Sequence, residues 1–503
     1  MNEGKDALEG LDGSQLKAAT SLGGAVRIVA GAGAGKTRTI TRRIAYACAR
    51  GDWDPAKTLA VTFSVKAAAE MRARLTSLGV PPQVRAGTFH SVALHQLRRV
   101  WPDVSSAYPP QVVTDLRPFV HGAYTRVTGQ ADCEPLTLRD IQAEIGWAKV
   151  GLISPQDYPR VCAAVHRLPP GGLDPERMAD LMQAFEKDKA AHNQMDFDDI
   201  LLLVCHILEE GGQAAASIRS GIGWLTVDEY QDVSPLQHRL LELWMDGHEE
   251  VCVVGDPAQT IYSFAGATSY YLRAFPQEHR NMAADIRLDT DYRSTPQVVN
   301  CANRLLSRSP VRQDYLKLTS ARPAGTRVTT TRYEDDRAEA TGVVRRIVRQ
   351  VEAGARAADF AVLTRINSQQ ALICAALKGA GLGYRVRADT GWQAGAADLV
   401  AQEARALGDL DARRQETAGE MGRVTVSTIH AAKGLEFRHV FIVGCSEGLI
   451  PFGSPQAGED LEEERRLMYV GVTRAGDTLH LSFADRKDSA SPAFRTASRF
   501  LGR

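Results

Sequence analysis

Ala25-Val26-Arg27-Ile28-Val29-Ala30-Gly31-Ala32-Gly33-Ala34-Gly35-Lys36-Thr37 is the stretch that decides the fold. An apolar run ends in a turn made only of glycine and alanine, and Lys-Thr then opens a helical pattern. Small side chains let successive backbone N–H groups turn inward onto a phosphate, and the helix N-terminus adds partial positive charge. The spacing is that of a P-loop with Ala30 in place of the first glycine. Lys36 is expected to reach the β- and γ-phosphates of ATP, and the Thr37 hydroxyl to sit on Mg²⁺. The expected cradle is Ala30, Gly31, Ala32, Gly33, Ala34, Gly35, Lys36, Thr37 and Arg38.

Such a site needs carboxylates at the end of a neighbouring strand. Leu225-Thr226-Val227-Asp228-Glu229 supplies them: Asp228 for the Mg²⁺ shell beside Thr37, and Glu229 as the base for an attacking water. The 192 positions from Lys36 to Asp228 exceed what a compact nucleotide-binding core needs, so something is inserted.

Around these segments, short β-branched or apolar runs alternate with helical patterns, which predicts α/β units with parallel sheets. The first unit has strands at Ala25–Ala30, Leu59–Phe63, Val84–Thr88, Trp224–Val227 and Val251–Gly255. Residues 102–194 break the rhythm: prolines separate helical segments, predicting a mostly helical insertion. A second unit begins near 280, with strands at Arg327–Thr331, Phe360–Thr364, Val424–Thr428, His439–Val443 and Thr478–Ser482. The expected layout is 1–101 plus 195–279, the insertion 102–194, and 280–503.

Composition narrows the function classes. The 503 residues carry 60 basic and 60 acidic side chains, so no bulk positive field draws the chain to nucleic acid and only a local groove can. The longest mainly apolar run, Ile200–Leu208, is too short to span a membrane, and Met1–Asp6 is polar rather than a secretory leader. Eight cysteines lie at least 29 residues apart with no CxxC pair, so a reduced, cytoplasmic setting is expected.

Further blocks follow in a fixed order: Val61–Ala68, Gly87-Thr88-Phe89-His90-Ser91, Met195-Asp196-Phe197-Asp198-Asp199, Asp228-Glu229-Tyr230-Gln231-Asp232, Val254–Tyr262, Asp291-Tyr292-Arg293-Ser294-Thr295, Thr428–Phe437 and Glu464–Ala475. Together they resemble the UvrD/Rep/PcrA family of superfamily 1 DNA helicases, from about residue 11 to about 501. The resemblance implies two RecA-like P-loop NTPase domains with ATP between them and single-stranded DNA across their tops. It further implies a 3′→5′ translocase and helicase acting on single-stranded and tailed duplex DNA in repair, replication or recombination.

By position, the resemblance assigns Gln15 to the adenine edge and Tyr292 to stacking on the adenine. Gln259 becomes the γ-phosphate sensor, Glu436 a nucleotide-side carboxylate, and Arg293 and Arg474 the arginines that the second domain brings to the γ-phosphate. Charge developing on the phosphate is then stabilised only when both domains close. Arg474 also reads as a helix C-terminal arginine favoured by the macrodipole. The DNA contacts implied are Thr62, Phe63, His90, Tyr262, Phe264 and His430, with Phe63 and Phe264 as stackers and Thr62, His90 and His430 as phosphate or coupling residues.

The chain departs from the family pattern in three places. Phe264-Ala265-Gly266-Ala267 lacks the usual arginine. Asp291 replaces an asparagine, which puts a carboxylate near the nucleotide. Residues 388–423 stand where the family carries its second accessory domain, too few to build one. An alternative reading is a helicase-like ATPase subunit of a nuclease-containing, Gabija-like anti-phage complex. A helicase–nuclease fusion is disfavoured, because only 29 residues follow Arg474.

Overall fold

The computed structural model describes residues 5–279, 282–387, 422–488, 490, 491 and 493–502. Its strands in chain order are β1 Val26–Ala30, β2 Thr58–Thr62, β3 Arg85–Thr88, β4 Gln111–Val112, β5 Gln194–Met195, β6 Trp224–Val227, β7 Val251–Gly255 and β8 Ala284–Leu288. There follow β9 Thr290–Asp291, β10 Thr319–Ser320, β11 Thr329–Asp335, β12 Phe360–Thr364, β13 Tyr384–Arg387, β14 Val424–Thr428, β15 Phe437–Ile442 and β16 Ala475–Arg486. Two six-stranded sheets result, ordered β3-β2-β6-β7-β1-β8 and β11-β16-β15-β12-β14-β13, and every pairing in both is parallel. Helices cover both faces, so the inner strands are buried on each side and read as unbroken apolar runs.

Two strands of these six-stranded sheets escaped the sequence reading. β8 and β13 are edge strands whose sequences, Ala-Asp-Ile-Arg-Leu and Tyr-Arg-Val-Arg, alternate polar with apolar residues instead of running apolar. β8 also corrects the layout. A boundary at 280 cuts the first sheet short, because β8 pairs in parallel with β1 through Val26↔Ala284 to Ala30↔Leu288. The chain leaves the first sheet only after Leu288. The strand expected at Arg327–Thr331 lies at Thr329–Asp335, where its partner β16 is available from His480 to Arg486.

Within 102–194, helices Arg117–Thr128, Pro135–Val150, Tyr158–Val165 and Pro175–Ala191 close around their own core, including Val120, Ile141, Tyr158, Leu181 and Phe185. The short parallel pair β4–β5 joins its two ends. Lys149 and Lys189, from two of these helices, converge on Asp196 and Asp199 at the head of helix Phe197–Glu210; Lys189 lies 2.5 Å from each carboxylate. Lys189 is only 1% exposed, which is tolerable because both carboxylates, with Glu186, surround it. This ionic knot accounts for Met195-Asp196-Phe197-Asp198-Asp199, a block the sequence reading left without a role.

No helix of the described residues is long and apolar enough to cross a membrane, and all eight cysteines are free. The segment 388–421, which holds nearly all of the expected linker in place of a second accessory domain, lies outside the described residues.

Trp244 anchors the first core. It is fully buried, lies parallel to Phe89 at 5.9 Å, and donates its indole N–H to Gln96 at 2.9 Å. Trp244→Ala should destabilise the first domain by ~3–5 kcal/mol. Urea unfolding followed by circular dichroism will show an earlier first transition, and an unmoved transition would mean the site repacks.

Candidate nucleotide cleft and nucleic-acid interface

The phosphate turn links β1 to helix Lys36–Arg50. Gly33 and Gly35 sit at φ +72° and +77°, where a side chain would be strained. Gly35 is the N-cap and provides no side-chain acceptor, so the first N–H groups of the helix stay available to a phosphate. The turn is also pressed by the second domain: a Cβ on Gly33 would lie 2.0 Å from Asp291 Oδ1, and one on Gly31 would lie 2.2 Å from Leu318 Cδ2. Ala30 is buried at the end of β1 and contributes its carbonyl, 3.5 Å from Lys36 Nζ.

At the end of β6, Asp228 Oδ2 accepts from Thr37 Oγ1 at 3.1 Å. Burial, then the adjacent Glu229 charge, pushes the Asp228 carboxyl up to about 7. Glu229 sits at φ +54° and accepts from Gln231 Nε2 at 2.5 Å. Burial works to raise its pKa, but Lys36, Lys433, the Gln231 bond and Arg474 outweigh it and hold the carboxylate below its usual range. One carboxylate of the pair is thus kept ionised.

The second domain completes the cleft. Arg474 Nη2 donates to Gln259 Oε1 at 3.3 Å, and Gln259 Nε2 donates to Asp256 at 2.8 Å. Arg474 also donates to the Val470 carbonyl, so the one side chain is tied both to its own helix end and to the first domain. Burial, then the Arg293 charge, lowers its pKa to about 10, still far above neutrality. Arg293 pairs with exposed Glu436 at 2.7 Å. Gln15 donates to the Ala34 carbonyl at 3.0 Å, Arg38 to Gly10, and the Tyr292 hydroxyl to Asp12. Residues 31–38 with Gln15, Glu229, Gln259, Tyr292, Arg293, Glu436 and Arg474 line one cavity of about 920 Å³ between the two sheets.

Asp291 lies against the phosphate turn with its Oδ1 beside Gly33, yet it is 1% exposed and accepts from the backbone N–H of Arg293 at 2.7 Å and of Ser294 at 3.0 Å. A carboxylate replaces an asparagine there because the turn needs only an acceptor.

Above the cleft, Phe63 lies parallel to Tyr262 at 5.8 Å, and Phe264 and His430 meet Tyr262 and each other at 6.1–6.4 Å. Three of these rings belong to the first domain and His430 to the second. Phe264 is 62% exposed, a ring face open to stacking. Thr62 and His90 do not join this surface. Thr62 is fully buried, and His90 is stacked on Phe197 at 3.8 Å with its Nε2 lacking a hydrogen-bond partner among the described residues. Burial lowers the His90 pKa to about 3, so it carries no charge to a phosphate. They form a layer beneath the aromatic face.

Lys433 was missed, although it lies inside the Thr428–Phe437 block. It reaches from the second domain into the first, paired with Asp232 and donating to the Gln259 carbonyl at 2.6 Å, with its ammonium 4.8 Å from the Tyr262 ring centre. One side chain therefore touches the aromatic face and the hydrolytic pair's neighbours. No spacing rule marks such a lysine, because its partners lie 201 and 174 residues away.

Fold and cleft define a two-domain P-loop ATPase whose phosphate turn and arginines come from separate sheets. Residues 11–280 match the UvrD/REP helicase N-terminal domain, and residues 286–392 and 400–486 match the UvrD-like helicase C-terminal domain. The ATP-dependent DNA helicase UvrD2 of Mycobacterium tuberculosis is 35% identical over 98% of this chain and 81% of its own length. The ATP-dependent DNA helicase PcrA of Bacillus subtilis is 24% identical over 95% and 83%. The chain belongs to the UvrD/REP family of ATP-dependent DNA helicases.

Lys433→Met should uncouple the two faces. Removing one member of a buried ion pair costs ~3–5 kcal/mol, here charged to the closed arrangement. DNA-stimulated ATP turnover should fall steeply while nucleotide affinity of the resting protein stays near wild type. Equal loss of both in a stopped-flow nucleotide titration would place Lys433 in ATP binding instead.

Proposed function

We propose that this chain is an ATP-driven 3′→5′ single-strand DNA translocase that opens tailed duplexes. The observation that carries the reading is the Lys433 bridge, which joins a ring-lined surface to an ATPase cleft across the domain boundary. Stacking faces accept any base, as movement along a strand requires.

Within this reading, Lys36 neutralises phosphate charge, Glu229 takes a proton from the attacking water, and Gln259 with Arg293 and Arg474 meets the γ-phosphate as the sheets close. Thr37 and Asp228, an oxygen-only pair at the phosphate turn, suit Mg²⁺, which when bound supplies charge neutralisation between the β- and γ-phosphates. Thr62 and His90 transmit strain beneath the track, and Phe63, Tyr262, Phe264 and His430 meet the strand. The alignment with UvrD2 runs over 574 positions, more than the 503 residues of this chain, which supports a compact form of the family. In that form residues 388–423 replace the second accessory domain.

Strand displacement on 3′- and 5′-tailed duplexes tests direction: opening only of the 3′-tailed substrate, and only with ATP, is expected. Preference for the 5′ tail would overturn the polarity. ATP turnover without opening of either would favour an assembly subunit that needs a nuclease or repair partner.

Glu229→Gln should keep ATP binding and lose turnover. Arg474→Ala should lower kcat by ~10³–10⁵, the range of arginine fingers in phosphoryl transfer, with little change in ATP affinity. A fall below about tenfold would leave Arg474 as a helix cap.

A further inference from the structure

A second concavity, of about 930 Å³ against about 920 Å³ for the nucleotide cleft, lies wholly within the second domain. Helix Pro296–Ser307 forms one wall, the segment 312–328 the other, and the start of β11 with Leu481 of β16 forms the back. The second wall is pinned rather than loose. The Asn303 side chain donates to the Leu318 carbonyl at 2.8 Å and accepts from its N–H at 2.9 Å, while Gln297 accepts from Gly325 N–H at 2.8 Å.

Arg304, Arg312, Lys317 and Arg327 line this hollow, and among the described residues no carboxylate does. Among the described residues none of the four has an ion-pair partner, and the one acidic residue of the wall, Asp314, is taken by Arg273 at 2.8 Å. The nucleotide cleft differs: its cations sit among Glu70, Glu229, Asp359, Glu436 and Asp477. In a chain whose charges balance overall, four like charges around one hollow repel one another and focus a positive field into it. Planar guanidinium forks suit phosphate oxygens, and Asn300, Ser307 and Thr330 add neutral hydrogen-bonding groups. Leu306, Leu316 and Val328 offer an apolar floor for sugar and base. A strand already engaged on the aromatic face would meet this hollow at high effective concentration.

We propose that this hollow is a second nucleic-acid contact, holding the sugar-phosphate backbone of a DNA strand outside the aromatic track. The inference rests on the DNA-helicase reading above. It assigns the second domain a grip of its own, independent of the cleft.

The test uses the full chain carrying Arg304→Gln, Arg312→Gln, Lys317→Gln and Arg327→Gln together. All four side chains are exposed, so the fold should stand, with a thermal melt as control. Fluorescence anisotropy with oligo-dT of ~10 and ~40 nucleotides separates a strand that fills one track from one that reaches further. Each phosphate contact on a single strand contributes ~0.7 to the slope of log K against log salt. On the long strand the variant should lose about 3 from that slope and at least roughly tenfold in affinity at low salt. Short-strand affinity and kcat at saturating short strand should be unchanged. Wild-type behaviour on the long strand would overturn the proposal, and so would equal weakening on both lengths, which would put the four residues in the central track. If the wild type itself lacks DNA-stimulated ATP turnover, the helicase reading and this inference fall together. If turnover is present and the variant matches the wild type's affinity and salt slope on the long strand, only this inference falls.

Discussion

Lys433 carries a charge into a position where 9% of its side chain meets water, and Asp232, at 1%, answers it from the other domain. Neither charge is tolerable there alone, because an unpaired buried ion costs several kcal/mol. The pair therefore ties the two sheets together more firmly than its contact area would. Around it the rest of the cleft falls into place: Gln259 lends its carbonyl to Lys433 and its amide oxygen to Arg474. Separation of the domains would break all of these contacts at once.

The same constraint links the cleft to the aromatic face. Lys433 lies against Tyr262, whose ring stacks on Phe63 and whose hydroxyl donates to the His430 carbonyl at 3.3 Å. A shift of either domain alters ring spacing and the Glu229 environment in one motion. The insertion is fastened to this frame by a second buried ionic knot, Lys149 and Lys189 on Asp196 and Asp199, next to Phe197 beneath His90. Both set buried lysine on buried aspartate, and both sit where separately folded parts meet.

Much of this was legible in the chain. The Gly/Ala turn before Lys36-Thr37 and the Asp228-Glu229 strand end carry their chemistry in adjacent residues, so spacing alone located them. Inner strands such as β7 and β12 were legible because burial on both faces leaves no room for polar residues. β8 and β13 were not, because an edge strand needs only one buried face. The resemblance places Thr62 and His90 among the strand contacts, yet their burial depends on what packs over them.

The sequence by itself determined the Gly/Ala turn between strand and helix, the adjacent carboxylates at a strand end, the two parallel α/β units and the presence of an inserted segment. These rest on local backbone requirements and on periodicity within a few residues. Only the tertiary structure decided that Lys433 bridges the domains, that Asp291 serves its own turn, that Thr62 and His90 lie below the surface, and that β8 belongs to the first sheet. Each of those depends on partners far away along the chain, and burial and charge pairing exist only once those partners meet.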